Sequence, residues 1–223
     1  MSSRALYRLG GAALLVSAPI GLLGHLLLHP PEHRLEDMLS PMWTPAHALI
    51  GAWMVFVLLG LPAFYGRQAL RAGRIGLAGY VGVMVAGTLL VGAAEFEALA
   101  LPVFAATTGY QPLAALDGPF LGGALGILQS ITGTLLGIAL QLLAIGTWRA
   151  AVFGPSSAFA FAAAGVAVLS FPLWLALDLP LGIGITLAVT TLALAWPGWR
   201  LLAIAGLSGS NIRAEVTAEP VSS

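Results

Sequence analysis

Six long apolar stretches, approximately Leu6–His29, Pro45–Tyr65, Ile75–Leu101, Phe120–Trp148, Ser157–Leu177 and Leu181–Trp199, take up most of this chain. Hydrocarbon offers the backbone no hydrogen-bonding partner, so a segment that crosses it must pair its own N–H and C=O groups, as a helix does. Crossing a core of ~30 Å takes about 20 mostly apolar residues. The stretches therefore predict an all-α polytopic membrane bundle of six transmembrane helices over residues 1–207. The polar, small-residue tail at 208–223 is expected to be disordered on the cytoplasmic side. Composition points the same way, because 59% of residues are hydrophobic and only 8% are charged. A water-facing surface needs about 25% charged residues, which argues against a soluble enzyme.

Nine basic and nine acidic residues balance to zero, so no electrostatic case exists for a nucleic-acid partner. The absence of cysteine removes disulfides, thiolate metal sites and cysteine nucleophiles, and the absence of lysine removes Schiff-base chemistry.

Arginine placement predicts the threading, because positive residues accumulate on cytoplasmic flanks. Arg4 and Arg8 precede the first stretch, and Arg67, Arg71 and Arg74 fill the loop after the second. Arg149 follows the fourth, and Arg200 and Arg213 follow the sixth. Six crossings put all of these on one side. The other side then receives Arg34 with Glu32, Glu36, Asp37, Glu95, Glu97, Asp117 and Asp178, so both termini are expected in the cytoplasm. Tyr7, Tyr65, Trp148, Trp196 and Trp199 are expected at the cytoplasmic headgroups, with Trp43 and Tyr110 opposite. A cleaved signal peptide ending near Val16-Ser17-Ala18 is the competing reading of the first stretch. Its apolar run, however, outlasts the ~7–15 residues of such a peptide.

Apolar side chains gain little by meeting inside lipid, so membrane helices associate where small residues let backbones approach. Gly122, Gly126, Ser130, Gly133 and Gly137 recur at helical spacing in the fourth stretch, which also holds Gln129, Thr132, Thr134 and Gln141. This pattern predicts a central helix, and the Gly122/Gly126/Gly133/Gly137 seam is a candidate contact for another membrane protein. Similar strips run through Gly10, Ser17, Gly21 and Gly24, and through Gly76, Gly79 and Gly82.

Ionisable groups inside a span are expensive and are functional candidates. His25 and His29 lie four residues apart near the outer end of the first stretch, just before Pro30-Pro31. His47 falls in the first turn of a helix that Thr44-Pro45 opens. The positive end of that helix favours a neutral imidazole, which can bind a metal. Glu95 and Glu97 point to nearly opposite sides of the third stretch. Glu95 shares its face with Thr88 and Gly92 and is expected inward, while Glu97 is expected to be solvated. Asp178, at the turn between the fifth and sixth stretches, is a supporting acid or a helix cap.

Three functions fit this set. The first is a non-catalytic membrane scaffold or small-ligand binder whose histidines only join helices. The second is a divalent metal such as zinc on His25, His29, His47 and Glu95, facing away from the cytoplasm. With an open coordination position, Glu95 or Asp178 could act as general base of a metal-dependent lipid hydrolase. The third is a b-type haem between His25 and His47 in an electron-transfer subunit. The His-x-x-x-His element is similar to the histidine pairs of membrane ceramidases and lipid desaturases. The repeated histidine boxes of desaturases and the Ser and Asp motifs of ceramidases are missing.

Trp43-x-x-x-His47, Gly60-Leu61, Tyr65, Arg74-Ile-Gly76 and Phe96-Glu97-x-x-x-x-Pro102 together resemble a group of bacterial multi-pass membrane proteins without an assigned activity. The resemblance covers about residues 40–105. It implies a bacterial plasma (inner) membrane and the helix layout, and it supplies no catalytic residue.

Overall fold

The computed structural model describes residues 2–29, 35–115, 117–177 and 179–217. Asp178 and His33 lie outside the described residues. Among those described the chain is helical almost throughout and has no strand. Ser2 caps α1 (Ser3–Leu22), its hydroxyl accepting from the Ala5 N–H at 3.3 Å. The helix then widens into a π-helical turn, Leu23–Leu28, closed by the His29 N–H on the Gly24 carbonyl at 3.1 Å. His29 itself is extended (φ −68°, ψ 124°), as the proline that follows it requires.

The remaining elements are α2 (Leu35–Met38), α3 (Trp43–Leu99), α4 (Leu101–Ala106), α5 (Gln111–Ala114) and a second π-helical turn, Pro119–Ala124. That turn leads into α6 (Leu125–Ala150), α7 (Pro155–Ala176) and α8 (Pro180–Thr217). The helix of α8 thus passes the boundary expected at residue 207, and 218–223 lie outside the described residues.

Among the described residues, five stretches are long and apolar enough to cross a membrane: Ser3–Leu28, Trp43–Ala106, Gln111–Ala150, Pro155–Trp174 and Leu181–Gly206. The second holds 64 residues, which would reach ~96 Å if straight. It is not straight. Gly73 takes φ 63° and ψ −168°, a left-handed conformation that glycine adopts without a Cβ clash, and the chain folds back there. Residues 43–72 and 74–99 form antiparallel arms, since partners step backward along one as they step forward along the other. Trp43 meets Glu97, Met54 and Leu58 flank Gly87, and Tyr65 stacks on Tyr80 at 4.4 Å.

The long helices close into a ring in which α1 packs on α3, α3 on α6, α6 on α7, α7 on α8, and α8 back on α1. Two of the small-residue strips make these contacts. A Cβ on Gly10 would lie 2.4 Å from Ala63 Cβ, and one on Gly21 would lie 2.7 Å from Trp53 Cδ1. A Cβ on Gly79 would come within 2.3 Å of the Leu143 nitrogen, and one on Gly146 within 2.4 Å of Gly76 Cα. The backbones of the second α3 arm and α6 therefore touch.

The strip of the fourth stretch behaves otherwise. Only Gly137 packs against another long helix, at Leu169 and Gly165 of α7, whereas a Cβ on Gly133 would meet nothing within 4 Å. The α3 hairpin buries Trp43, Trp53, Met54, Val57, Phe64 and Val83, whereas Ile127, Leu128 and Ile131 near the start of α6 are exposed. The most enclosed part of the bundle is therefore the α3 hairpin and not the helix expected at the centre. Phe64 of its first arm stacks on Phe153 at 4.0 Å and meets Phe161 edge-on at 5.3 Å.

Charge divides the bundle into two ends. Arg4 donates to the Ala205 carbonyl at 3.2 Å, Arg200 to the Phe153 carbonyl at 3.1 Å, and Arg67 lies 5.8 Å from the Tyr7 ring. These contacts mark one end. The opposite end carries His25, His29, His47 and Glu97.

Candidate functional site

The fold-back at Gly73 sets the start of the first α3 arm beside the end of the second. Trp43, fully buried, donates its Nε1 hydrogen to the Glu97 carbonyl at 2.7 Å, and Thr44 donates its hydroxyl to the Ala98 carbonyl at 2.8 Å. Helix ends leave carbonyls without intrahelical partners, and two side chains of the first arm fill that need. Trp43 is thus a core residue, as is the 9%-exposed Tyr65, and neither belongs to an interfacial belt. Trp148, Trp196, Trp199 and Tyr110 are exposed, as the belts require.

One turn further in, His47 is 1% exposed, with Nδ1 2.9 Å from the Trp43 carbonyl oxygen. A carbonyl only accepts, so Nδ1 carries the hydrogen and Nε2 is the nitrogen left for other chemistry. Nε2 lies 3.2 Å from Glu97 Oε2, at ion-pair distance but off the line of a good hydrogen bond. The other oxygen of Glu97, Oε1, accepts from Gln129 Nε2 of α6. This network ties both arms of α3 to α6.

His29 completes the cluster from α1, its ring centroid 4.8 Å from that of His47 and 6.0 Å from that of Trp43. His25 goes elsewhere. It meets Trp53 edge-on at 5.1 Å, and its Nε2 is enclosed with no hydrogen-bond partner. Short elements close this end from above: Met38, Trp43, Leu101, Ala105 and Ala114 form a separate apolar cluster, and Phe104 stacks on Phe120 at 5.5 Å. The polar network therefore sits beneath an apolar cap.

The expectation for the two glutamates is reversed. Glu97 is the buried one, at 8% exposure, while Glu95 is exposed and its carboxylate lies over Gly51. The signal was present in the small-residue strip. Continuing Gly76 and Gly79 in steps of three or four through Val83, Ala86, Leu90 and Ala94 arrives at Glu97 or Ala98. Thr88 and Gly92, which pointed to Glu95, lie on an exposed face.

Of the residues considered for a metal, His29 and His47 come together, His25 packs on Trp53, and Glu95 turns away. Asp178 lies outside the described residues. Among the described residues no three His, Asp or Glu side chains are grouped so as to hold a metal ion. His47 has the arrangement of an oriented ligand, with Nδ1 fixed by a carbonyl, but Glu97 stands where its Nε2 would reach for a metal. A haem between His25 and His47 would require both rings to leave tryptophan partners, since His47 also packs on Trp43 at 4.2 Å. The chemistry this geometry provides is the joining of helices through buried polar contacts.

Comparison with protein families, curated proteins and solved structures found no match to this chain. The fold and the site define an all-helical protein with helices able to span a membrane.

Proposed function

We propose that this chain is a six-pass integral membrane protein of a bacterial plasma membrane, with both termini cytoplasmic, acting as a non-catalytic scaffold or small-ligand binder. The observation that carries this reading is the His47–Glu97–Gln129 network, which spends its buried polar groups on joining helices and leaves no open nucleophile. The fold-back at Gly73 supports a sixth crossing by dividing one over-long helix into two. Collection of Arg4, Arg67 and Arg200 at one end supports the threading, because arginine favours the cytoplasmic flank. The open face around Gly133 supports a helix from another membrane protein as the partner.

Two measurements test the proposal. The chain has no cysteine, so Arg74→Cys and Tyr110→Cys are clean reporters for an impermeant thiol reagent. Labelling of the two from opposite faces is expected, and labelling of both from one face overturns the threading. Metal and haem analysis of detergent-purified protein tests the site. Stoichiometric metal or haem that disappears in His47→Ala would replace the scaffold reading with a cofactor site.

A further inference from the structure

At the arginine end, the fold-back of α3, the start of α1 and the junction after α6 enclose a cavity of about 480 Å³. It is lined in part by Tyr7, Arg67, Gln68, Leu70, Arg71 and Val152. Arg67 and Arg71 are one helical turn apart, so two guanidinium groups share one face of the arm. Like charges at that spacing destabilise a helix unless an anion lies between them. Among the described side chains the ion pair His47–Glu97 lies at the far end, and no described carboxylate pairs with Arg67 or Arg71.

The floor of the cavity is polar as well. Gln68 is 1% exposed and donates Nε2 to Thr147 Oγ1 at 2.9 Å, yet its Oε1 is enclosed without a partner. Tyr7 stands on the other side of Arg67, with its ring 5.8 Å from the guanidinium carbon. The lip is different in kind, because Leu70 is fully exposed and faces whatever surrounds the bundle.

We propose that this cavity binds the headgroup of an anionic phospholipid. Arg67 and Arg71 hold the phosphate, and Leu70 meets the acyl chain at the lip. A soluble phosphate would use the arginines but not the apolar lip, which favours the lipid as the source. Basic pockets between helices on the arginine-rich face of a membrane protein suit such headgroups. The inference rests on the reading of the chain as a membrane protein.

The test uses the full chain in nanodiscs made from mixed phosphatidylglycerol and phosphatidylcholine, with bound lipid read by native mass spectrometry. Retention of phosphatidylglycerol over phosphatidylcholine is expected. Arg67→Gln with Arg71→Gln should lower that preference about thirtyfold, the effect of two surface arginines on an anionic lipid. Arg8→Gln, which changes charge outside the cavity, should leave it in place. Equal retention of both lipids, or an equal loss in Arg8→Gln, overturns the proposal. In phosphatidylcholine discs, thermal stabilisation by inorganic phosphate that matches the effect of phosphatidylglycerol would identify a soluble-phosphate site and overturn the lipid source. A chain that stays monodisperse without detergent or lipid would refute the membrane reading itself, a result separate from a lack of lipid preference in discs.

Discussion

Replacing Glu97 separates the shape of its carboxyl from its charge. In Glu97→Gln the amide oxygen can still accept from Gln129, and the amide nitrogen can donate to Nε2 of a neutral His47, whose Nδ1 hydrogen is already given to the Trp43 carbonyl. Gln129 keeps its bond and His47 gains a donor. Glu97→Leu leaves the Gln129 amide without its acceptor and His47 Nε2 without its polar neighbour. Hydrogen bonds between membrane helices are each worth roughly 0.6–1.7 kcal/mol, so the leucine variant should lose about 1–3 kcal/mol, and the glutamine variant less than about 1 kcal/mol. Reversible unfolding by titration with a denaturing detergent in mixed micelles, followed by circular dichroism, measures both. Equal damage from the two substitutions would mean that the negative charge matters and not the bonding pattern. No damage from leucine would remove the network from the forces that join α3 to α6. Glu95→Gln, on the exposed flank, is the control and should stay within about 0.5 kcal/mol of the parent.

The same unfolding assay tests the glycines against one another. Gly79→Ala places a methyl group against the α6 backbone and should destabilise by about 1–3 kcal/mol or more, and a neutral result would refute the close contact of those helices. Gly133→Ala meets nothing within 4 Å and should be neutral or stabilising by up to ~1 kcal/mol through helix propensity, unless an associating helix occupies that face. Gly73→Ala should lose about 1–3 kcal/mol, the cost of a side chain at a backbone conformation that is essentially glycine's alone. An unchanged stability would show that the fold-back does not need the positive φ found at Gly73.

Much of the helix layout was readable from the chain because lipid leaves the backbone only one solution, and apolar length reports it directly. The strips at Gly10–Gly24 and Gly76–Gly82 were readable for a related reason, since small residues at helical spacing have few other uses inside a membrane. The seam from Gly122 to Gly133 has the same spacing but little interhelical packing, so spacing alone does not distinguish a contact within the chain from one left open. Trp43 and Tyr65 were misplaced because amphipathic rings suit both an interface and a buried site with one hydrogen-bond acceptor. Their neighbours decide between these.

Sequence by itself determined the all-helical class, the candidate crossings and the separation of arginine from histidine and acid, all of which follow from how single residues partition between water and lipid. The tertiary structure decided which polar groups meet. Folding back at Gly73 set Glu97 beside His47 and left Glu95 outside, while the start of α1 and the junction after α6 completed a cavity beside Arg67 and Arg71. Such choices depend on the rotation of each helix about its axis. That rotation is set by backbone contacts with other helices, tens of residues away in the chain, and no local pattern records it.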